Sequence, residues 1–578
     1  MVSNCLSGGR PADAASHCRV CGSSLLSTRV AEFVYLRPQD FQNSSDNQSK
    51  EDTPISIPDE EVAGHEIGTH KAIRRTRNET DNIFQSVRLK IIVDADGIVV
   101  TATPQEGPVD SYSKAAAEAM TWKYVPFEHD GRPSVAAITD YVSILPLEDI
   151  PKTHRDFPRV TNLAGLVMKL SRSGCFGTCP AYTVEIHGDG TVIYDGEYYV
   201  VLTGEHRDHI SADQVEQALN AFYAADYFSL KDKYSFSVTD CPTYVTSFEL
   251  NDISKSVVDY VGLEAGMPQS VSDLENTIDG VAGTAKWIRG TSDTVPALKR
   301  EDWDFKSPEA AGVLARASHA GSTQLVQDLV KEGVSASGTD ETGTSTLAGA
   351  AATGNHETVN LLLKAETGKD NRAARTEALA AAARIGDAEL VQTLLDAGAD
   401  AKGRARNENG APTVLMSAAS SGVAKVVEMI LEADPDVNAR DNKGRTAFFY
   451  ISDASTYFDE KHHANRVEVV HLLAHAGANL NLQDDNGNAP LHSAYNPDIA
   501  QALIQDGANV DIRNRNGETP FMTNFSPDIA KLLLEAGADS EAKNEEGKTA
   551  LDIAKELEPD GEWTRYLESV KTAHAMKP

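Results

Sequence analysis

Two hydrophobic periodicities divide the chain. Through "AGLVMKLSRSG" and "PAYTVEIHGDGTVIYDGEYYVVLTGEHRD" (164–208), apolar and polar residues alternate at period two, broken at "GDG" and "DG". That pattern predicts an antiparallel meander. "ISADQVEQALNAFYAADYFSL" (210–230) switches to helical spacing, with Ser211 as its cap and Val215, Leu219, Phe222 and Tyr223 on one face. Strands at "TYVTSFEL" and "KSVVDYV" and a helix at "VSDLENTIDGVAGTAKWI" complete this unit. Upstream, "VRLKIIVDADGIVVTATPQEG" predicts two strands joined by a turn at Asp94–Gly97. "DSYSKAAAEAMTWKYVPF" predicts a helix capped by Asp110 or Ser111, with Ala and Met inward, and "AAITDYVSILPL" a last strand. Residues 1–85, with "QNSSDNQSKEDTPISIPDEE", are polar, acidic and Pro-interrupted, and are expected to be a mostly disordered leader.

From about residue 307 one design recurs: "TLAGAAATGNHETVNLLLKA", "ALAAAARIGDAELVQTLLDAGAD", "VLMSAASSGVAKVVEMILEADPD", "PLHSAYNPDIAQALIQDGANV", "PFMTNFSPDIAKLLLEAGADS". The interval is 30 residues from Asn479 to Asn509 and again to Asp539. Ala pairs such as Ala351-Ala352 and Ala418-Ala419 suit closely packed helices, Leu pairs fill the seam, and the Gly of "GAD" ends the second helix. Asp, Asn and Gly in "DDNGNAPLH" and "NRNGETPF" make hairpin turns, after which Thr519 and its counterparts can cap a helix. This period, with starts such as "APLH", "TPFM" and "TALD", resembles ankyrin repeats and implies seven to eight units across 303–572, followed by a tail at 573–578. The two 30-residue copies carry "NP" and "SP" where residues around the helix–helix turn are missing, and "YISDASTYFDEKHHANR" lengthens the fifth unit.

Two further resemblances cover the N-terminal half. "RSGCFGTCPAY", "GDGTVIYDG", "YSFSVTDCP" and the terminal "KWI" make residues 151–295 similar to a bacterial domain family of unknown function, which implies a fold and no activity. The order strand–"DADG"–strand, Ala-rich helix, "TWKYVPF", "DGRP", strand makes 86–150 resemble the C-terminal domain of TonB-type energy transducers. It implies a β-β-α-β module with a protein-contact role; the membrane anchor and Pro-rich spacer of a transducer are not in the sequence. The expected fold is multidomain: an α+β N-terminal half followed by an all-α ankyrin solenoid with hairpin loops.

Composition narrows the function. The net charge of −33 over 578 residues argues against a nucleic-acid partner, which draws on surplus Lys and Arg. No apolar run approaches the ~18 residues of a membrane span. "MVSNCLSGG" lacks a signal core, although Val2-Ser3-Asn4-Cys5 loosely resembles the end of a lipoprotein signal. As written the chain reads as cytoplasmic; an upstream start encoding an apolar segment would make it periplasmic or envelope-associated.

Candidate chemistry centres on Cys175 and Cys179. Three intervening residues and a following strand do not fit a thioredoxin-type pair, and a zinc site needs three or four ligands; Cys241 and His187 lie within the same domain, but the strand pattern does not force them together. A structural turn or disulfide, a metal site and a catalytic thiol all stay open; a disulfide there would add about 2 kcal/mol in the chain-entropy model. Cys241 itself reads as a small buried residue. "HCRVCG" at 17–22 is half a zinc motif, "GHEIGTH" spaces His65 and His70 one residue too far for a zinc protease, "EEGKT" lacks the first Gly of a phosphate loop, and His462 and His463 sit beside Asp459 and Glu460. No catalytic constellation, cofactor or metal is expected. The expected function is a non-catalytic scaffold that binds a protein through the ankyrin groove and hairpin tips: Asn442, Lys443, Arg445, Asp485, Asn488, Arg515, Glu518 and Lys548. The alternatives are an envelope-associated scaffold and an enzyme using Cys175 and Cys179.

Overall fold

The computed structural model describes residues 85–129, 132–145, 148–149, 151, 153–365, 371–405, 411–451, 463–559 and 561–575, with short pieces at 55–56, 62, 66–67 and 72–74. Two compact units divide between Ile288 and Arg289. Cys5, His17, Cys18, Cys21, His65, His70 and His462 lie outside the described residues.

The first sheet forms as its alternation requires. Strand β1 (Gln85–Val93) lies between β2 (Val99–Glu106) and β3 (Ala136–Leu145), antiparallel to both. Val87, Leu89, Ile91 and Val93 of β1 and Ile138, Val142 and Ile144 of β3 bury one face against helix α1 (Tyr112–Ala119). The β1–β2 turn is held by the Asp94 carboxylate, which accepts from the Asp96 and Ile98 amides at 3.0 and 2.9 Å. Gly97 there has φ +80°, and a Cβ would meet the Tyr124 carbonyl oxygen at 1.9 Å, so only glycine fits.

Three details differ from the expectation. Ser111 does not cap α1 with its side chain, because its own backbone is already helical (φ −95°, ψ −7°) behind a one-turn lead-in at Val109–Ser111. Met120 faces outward, and Trp122, Tyr124 and Phe127 fill the core beyond Ala115 and Ala119. Part of the leader joins the sheet: Ile55–Ser56 and Ile73–Arg74 pair parallel to β3, and Val62 is buried. Scattered isoleucines and a valine suffice for such short edge pairings, which average composition conceals.

The second sheet has seven strands: β4 (Leu166–Arg172), β5 (Ala181–His187), β6 (Thr191–Tyr198), β7 (Gly204–His209), β8 (Lys233–Ser235), β9 (Tyr244–Leu250) and β10 (Ile253–Tyr260). Their spatial order is β7-β6-β5-β4-β9-β10-β8, antiparallel except for β8 beside β10. Between β7 and β8 runs α2 (Ala212–Ala224); its Ser211 hydroxyl accepts from the Gln214 amide while the Gln214 side chain accepts from Ser211 N at 3.0 Å. Val215, Leu219 and Phe222 are buried, but Tyr223 turns 100° further round the helix and packs at a tilt against Phe157, ring centroids 4.1 Å apart. Helix α3 (Gln269–Ala282) packs beside α2 and over β4 and β5.

Among the described residues eight helix pairs then follow between Pro308 and Ala575. First helices stack on first helices and second on second. At the seams Ala350, Ala351, Ala382, Ala383, Ala418 and Ala419 are fully buried, which permits close approach. One apolar position recurs in the second helices as Leu329, Leu362, Leu394, Ile430, Leu473, Leu503 and Leu533, all buried. Ser307, Ser345, Thr413 and Thr549 cap their first helices through the side chain. Thr519 does not: its helix, Pro520–Thr523, is a single turn, and the Thr519 hydroxyl is buried without a hydrogen-bond partner.

Candidate functional site

The hairpin tips are built on one repeated device. An Asp or Asn carbonyl-type oxygen accepts from the amides two and four residues on: Asp441 from Lys443 and Arg445, Asp484 from Asn486 and Asn488, Asn514 from Asn516 and Glu518, Asn544 from Glu546 and Lys548, all at 2.8–3.0 Å. Each tip then bonds to the next. Asp485 N donates to Lys443 O (2.9 Å), Arg515 N to Asn486 O (3.2 Å) and Glu545 N to Asn516 O (2.9 Å). Gly487 sits where the following tip passes, with a hypothetical Cβ 2.6 Å from Arg515 N. Long side chains strap successive repeats: Arg440 to the Gln483 carbonyl, Gln483 to that of Arg513 at 2.7 Å, Arg513 to that of Lys543 at 2.6 Å. The result is a continuous backbone ladder with side chains projecting from it.

The eight residues expected as contacts fall into two groups. Asn442, Lys443, Asp485 and Arg515 are exposed. Arg445, Asn488, Glu518 and Lys548 are half-buried and brace the tips. Arg445 Nε donates to Asp441 Oδ2 at 2.8 Å and its guanidinium lies over the Tyr450 ring at 4.8 Å. Burial pushes the Asp441 carboxyl up, yet the bonds from Arg445, Tyr450 and Lys443 hold it below the usual range. Asn514 Nδ2 donates to Asn488 Oδ1 (3.0 Å) and Glu518 Oε2 (2.9 Å). Lys548 Nζ meets Glu556 at 2.7 Å and Glu546 at 2.9 Å. Only the Asn488 bond comes from the neighbouring repeat; Arg445, Glu518 and Lys548 are braced by residues within eight positions, whose approach depends on how the tip and the helix after it fold. "EEGKT" is the last of these tips, bent around Asn544.

Between repeats, His492 Nδ1 accepts from Ala489 N at 3.0 Å and Nε2 donates to Glu518 O at 3.0 Å. Burial lowers its pKa, which keeps the neutral ring these two bonds require.

In the other unit Cys175 and Cys179 are joined as a disulfide with Cα atoms 5.5 Å apart. It closes the loop between β4 and β5, whose tip residue Phe176 is exposed. Ser173 N donates to Thr243 O and Thr243 N to Ser173 Oγ, both at 2.9 Å, so the segment carrying Cys241 flanks the base of this loop. Cys241 is half-buried rather than buried. His187 ends β5, six residues beyond Ala181 and therefore about 20 Å from the cysteine end, out of reach of a shared metal.

Directly under the disulfide loop lies a buried polar cluster that the spacing arguments did not find. Arg172 ends β4 opposite Tyr182 on β5 and Tyr244 on β9. Its Nη2 donates to Asp279 Oδ2 of α3 at 2.6 Å, and Asp279 Oδ1 accepts from Tyr182 OH (2.7 Å) and Thr284 Oγ1 (2.8 Å). Burial, then the Asp279 charge, raises the Tyr182 phenol well above its ordinary value, which keeps it a hydrogen-bond donor. The terminal "KWI" is fixed likewise: Lys286 Nζ bonds Asp208 Oδ2 at 2.6 Å, and Trp287 stacks on Tyr194 at 4.9 Å. The motif residues thus tie the first hairpin to the last helix, and the signal that could have revealed this was the Arg and Tyr flanking the two cysteines.

Among protein families, residues 166–282 match a domain of unknown function (DUF6438), and residues 313–404, 378–457 and 461–544 match ankyrin repeats (3 copies). No curated protein matches the chain. Among the described residues no helix is long and apolar enough to cross a membrane. With the helix pairs and hairpin ladder on one side and the seven-stranded sheet on the other, the chain carries ankyrin repeats in its C-terminal half, preceded by a DUF6438 domain.

Proposed function

We propose that the chain is a non-catalytic scaffold that binds a protein partner through the ankyrin groove and the exposed hairpin tips. The observation that carries this reading is the tip ladder: Lys443, Asp485 and Arg515 project from backbone that is bonded repeat to repeat, so a partner meets a preorganised row of alternating charge. Long exposed side chains on fixed backbone can vary without loosening the stack. The triple charge reversal Lys443→Glu, Asp485→Lys, Arg515→Glu is expected to abolish capture of the partners retained by the unaltered chain in a quantitative pull-down, with an unchanged melting temperature. An unchanged set of captured proteins would place the binding face elsewhere. The module at 86–150 is read as a second protein-contact element, on its transducer-like order of elements with Trp122, Tyr124 and Phe127 in the core.

One observation favours an envelope-associated version of this scaffold. Disulfides persist in oxidising compartments and are rare where glutathione keeps thiols reduced, and Cys175 and Cys179 are bonded. Rapid acid quench of cells followed by alkylation and mass mapping is expected to find this pair oxidised. A fully alkylated pair would return the scaffold to a reducing compartment.

A further inference from the structure

The sixth and seventh helix pairs differ from the others at the turn between their helices. In both the first helix is one turn, Pro490–Ser493 and Pro520–Thr523, and the chain enters the second helix through "YNPD" or "FSPD". Longer repeats pass this point through a left-handed glycine, as at Gly386 and Gly422. Shortening the first helix removes the turn that would cover the next side chain, so Tyr495 is 50% and Phe525 52% exposed. Burial classes agree position by position between 491–500 and 521–530, so the exposed ring belongs to the repeat design.

The two second helices, Pro497–Gln505 and Pro527–Glu535, pack directly on each other. Packed helices lie about 8–10 Å apart, so equivalent positions of the two repeats, Tyr495 and Phe525 among them, recur at about that spacing. Phe525 is backed from inside: it meets the buried Trp563 edge-on at 6.5 Å, and Trp563 stacks on the half-buried Tyr566 at 5.9 Å. Carboxylates border this edge of the repeats. Asp498 and Asp528 are exposed, and after burial itself Asp528 and Glu535 are what push the Tyr566 phenol up.

We propose that this edge binds a proline-rich, Lys/Arg-bearing segment of a partner protein in the polyproline II conformation, at a site separate from the hairpin tips. That helix rises about 3.1 Å per residue with three residues per turn, so prolines three apart stand about 9 Å apart on one side, matching the spacing at which the repeats present their rings. Flat exposed aromatics are the surface such prolines dock on, and the segment is pre-extended, so ordering costs little. In a strand, side chains on one face repeat at about 7 Å, which does not match. The acidic border supplies charge complementary to Lys and Arg beside the prolines.

The test is fluorescence anisotropy of a fluorescein-labelled 12-residue peptide with prolines at every third position and an arginine at each end, titrated with the full chain. Saturable binding is expected, weakened about tenfold or more in the Tyr495→Ala, Phe525→Ala variant and restored in Tyr495→Phe, Phe525→Tyr. Asp498→Asn with Asp528→Asn is expected to weaken it several-fold and flatten its salt dependence. The exchange variant keeps both rings, so it separates loss of contact from loss of fold near Trp563. The proposal is overturned by absence of saturable binding, by indifference to the double alanine, or by equal binding of a peptide with the prolines replaced by alanine or of an amphipathic helical peptide of equal charge.

Discussion

Asp279→Ala is expected to destabilise the seven-stranded unit by about 3–5 kcal/mol. The partner side chains of the Arg172–Asp279 pair are 8% and 2% exposed, so removing the carboxylate leaves a guanidinium without its counter-ion in a site closed to water. Tyr182 and Thr284 lose their acceptor in the same step. The Tyr244 ring under Arg172, at 4.2 Å, cannot replace a carboxylate. Amide exchange followed by mass spectrometry reads the effect locally, as two to three decades or more of lost protection across 166–187 at about 1.4 kcal/mol per decade. Replacing both partners, Arg172→Met with Asp279→Leu, is expected to recover most of the loss, because swapping a buried pair for apolar groups is often neutral. A loss below about 1 kcal/mol in the single variant would show that the pair does not hold the first hairpin to α3.

That cluster marks the limit of what was legible. Much that local pattern governs was readable: the β1–β2 turn at Asp94, the Ser211 cap, the meander, the repeat period and the shortened sixth and seventh units. What escaped depends on how side chains meet once the chain has folded, whether their partners are distant in sequence or near. Arg172 and Asp279 are 107 positions apart, and the Arg and Tyr that flank the cysteines hint at a polar cluster without naming Asp279 as its acceptor. Arg445 and Lys548 look like their exposed neighbours until Asp441, Tyr450, Glu546 and Glu556 are placed around them. Thr519 has a capping residue's identity and the right backbone, but a following one-turn helix leaves its hydroxyl without a suitable amide. The leader's short pairings with β3 escaped for a different reason: a polar, Pro-interrupted composition averages over the few isoleucines that join the sheet. The cysteine spacing argued against a thioredoxin pair, but spacing alone could not choose among the remaining readings; bringing the sulfurs together required the hairpin that β4 and β5 form.

In the repeat array, Phe521→Ala is expected to cost about 3–5 kcal/mol, confined to the C-terminal end. Phe521 is 1% exposed and stands on a four-residue helix whose only other buried apolar side chains are Pro520 and Met522. Its ring lies 6.0 Å from that of Trp563, which in turn stacks on Tyr566, so one side chain joins the seventh repeat to the closing helix Glu562–Ala575. Neighbouring repeats cannot re-form that contact, because each unit of a solenoid touches only the next. Exchange protection should therefore fall across 520–535 and 550–575 while 308–431 changes by no more than a few tenths of a kcal/mol, and Trp563 emission should shift to the red as the ring meets water. The tip at Glu545–Lys548 hangs on Asn516 O and should loosen with it, although it lies at the opposite end of the repeat from Phe521 in sequence. Uniform loss of protection back to 308 would mean that the array unfolds as one cooperative block, and the nearest-neighbour account of its stability would fall with that result.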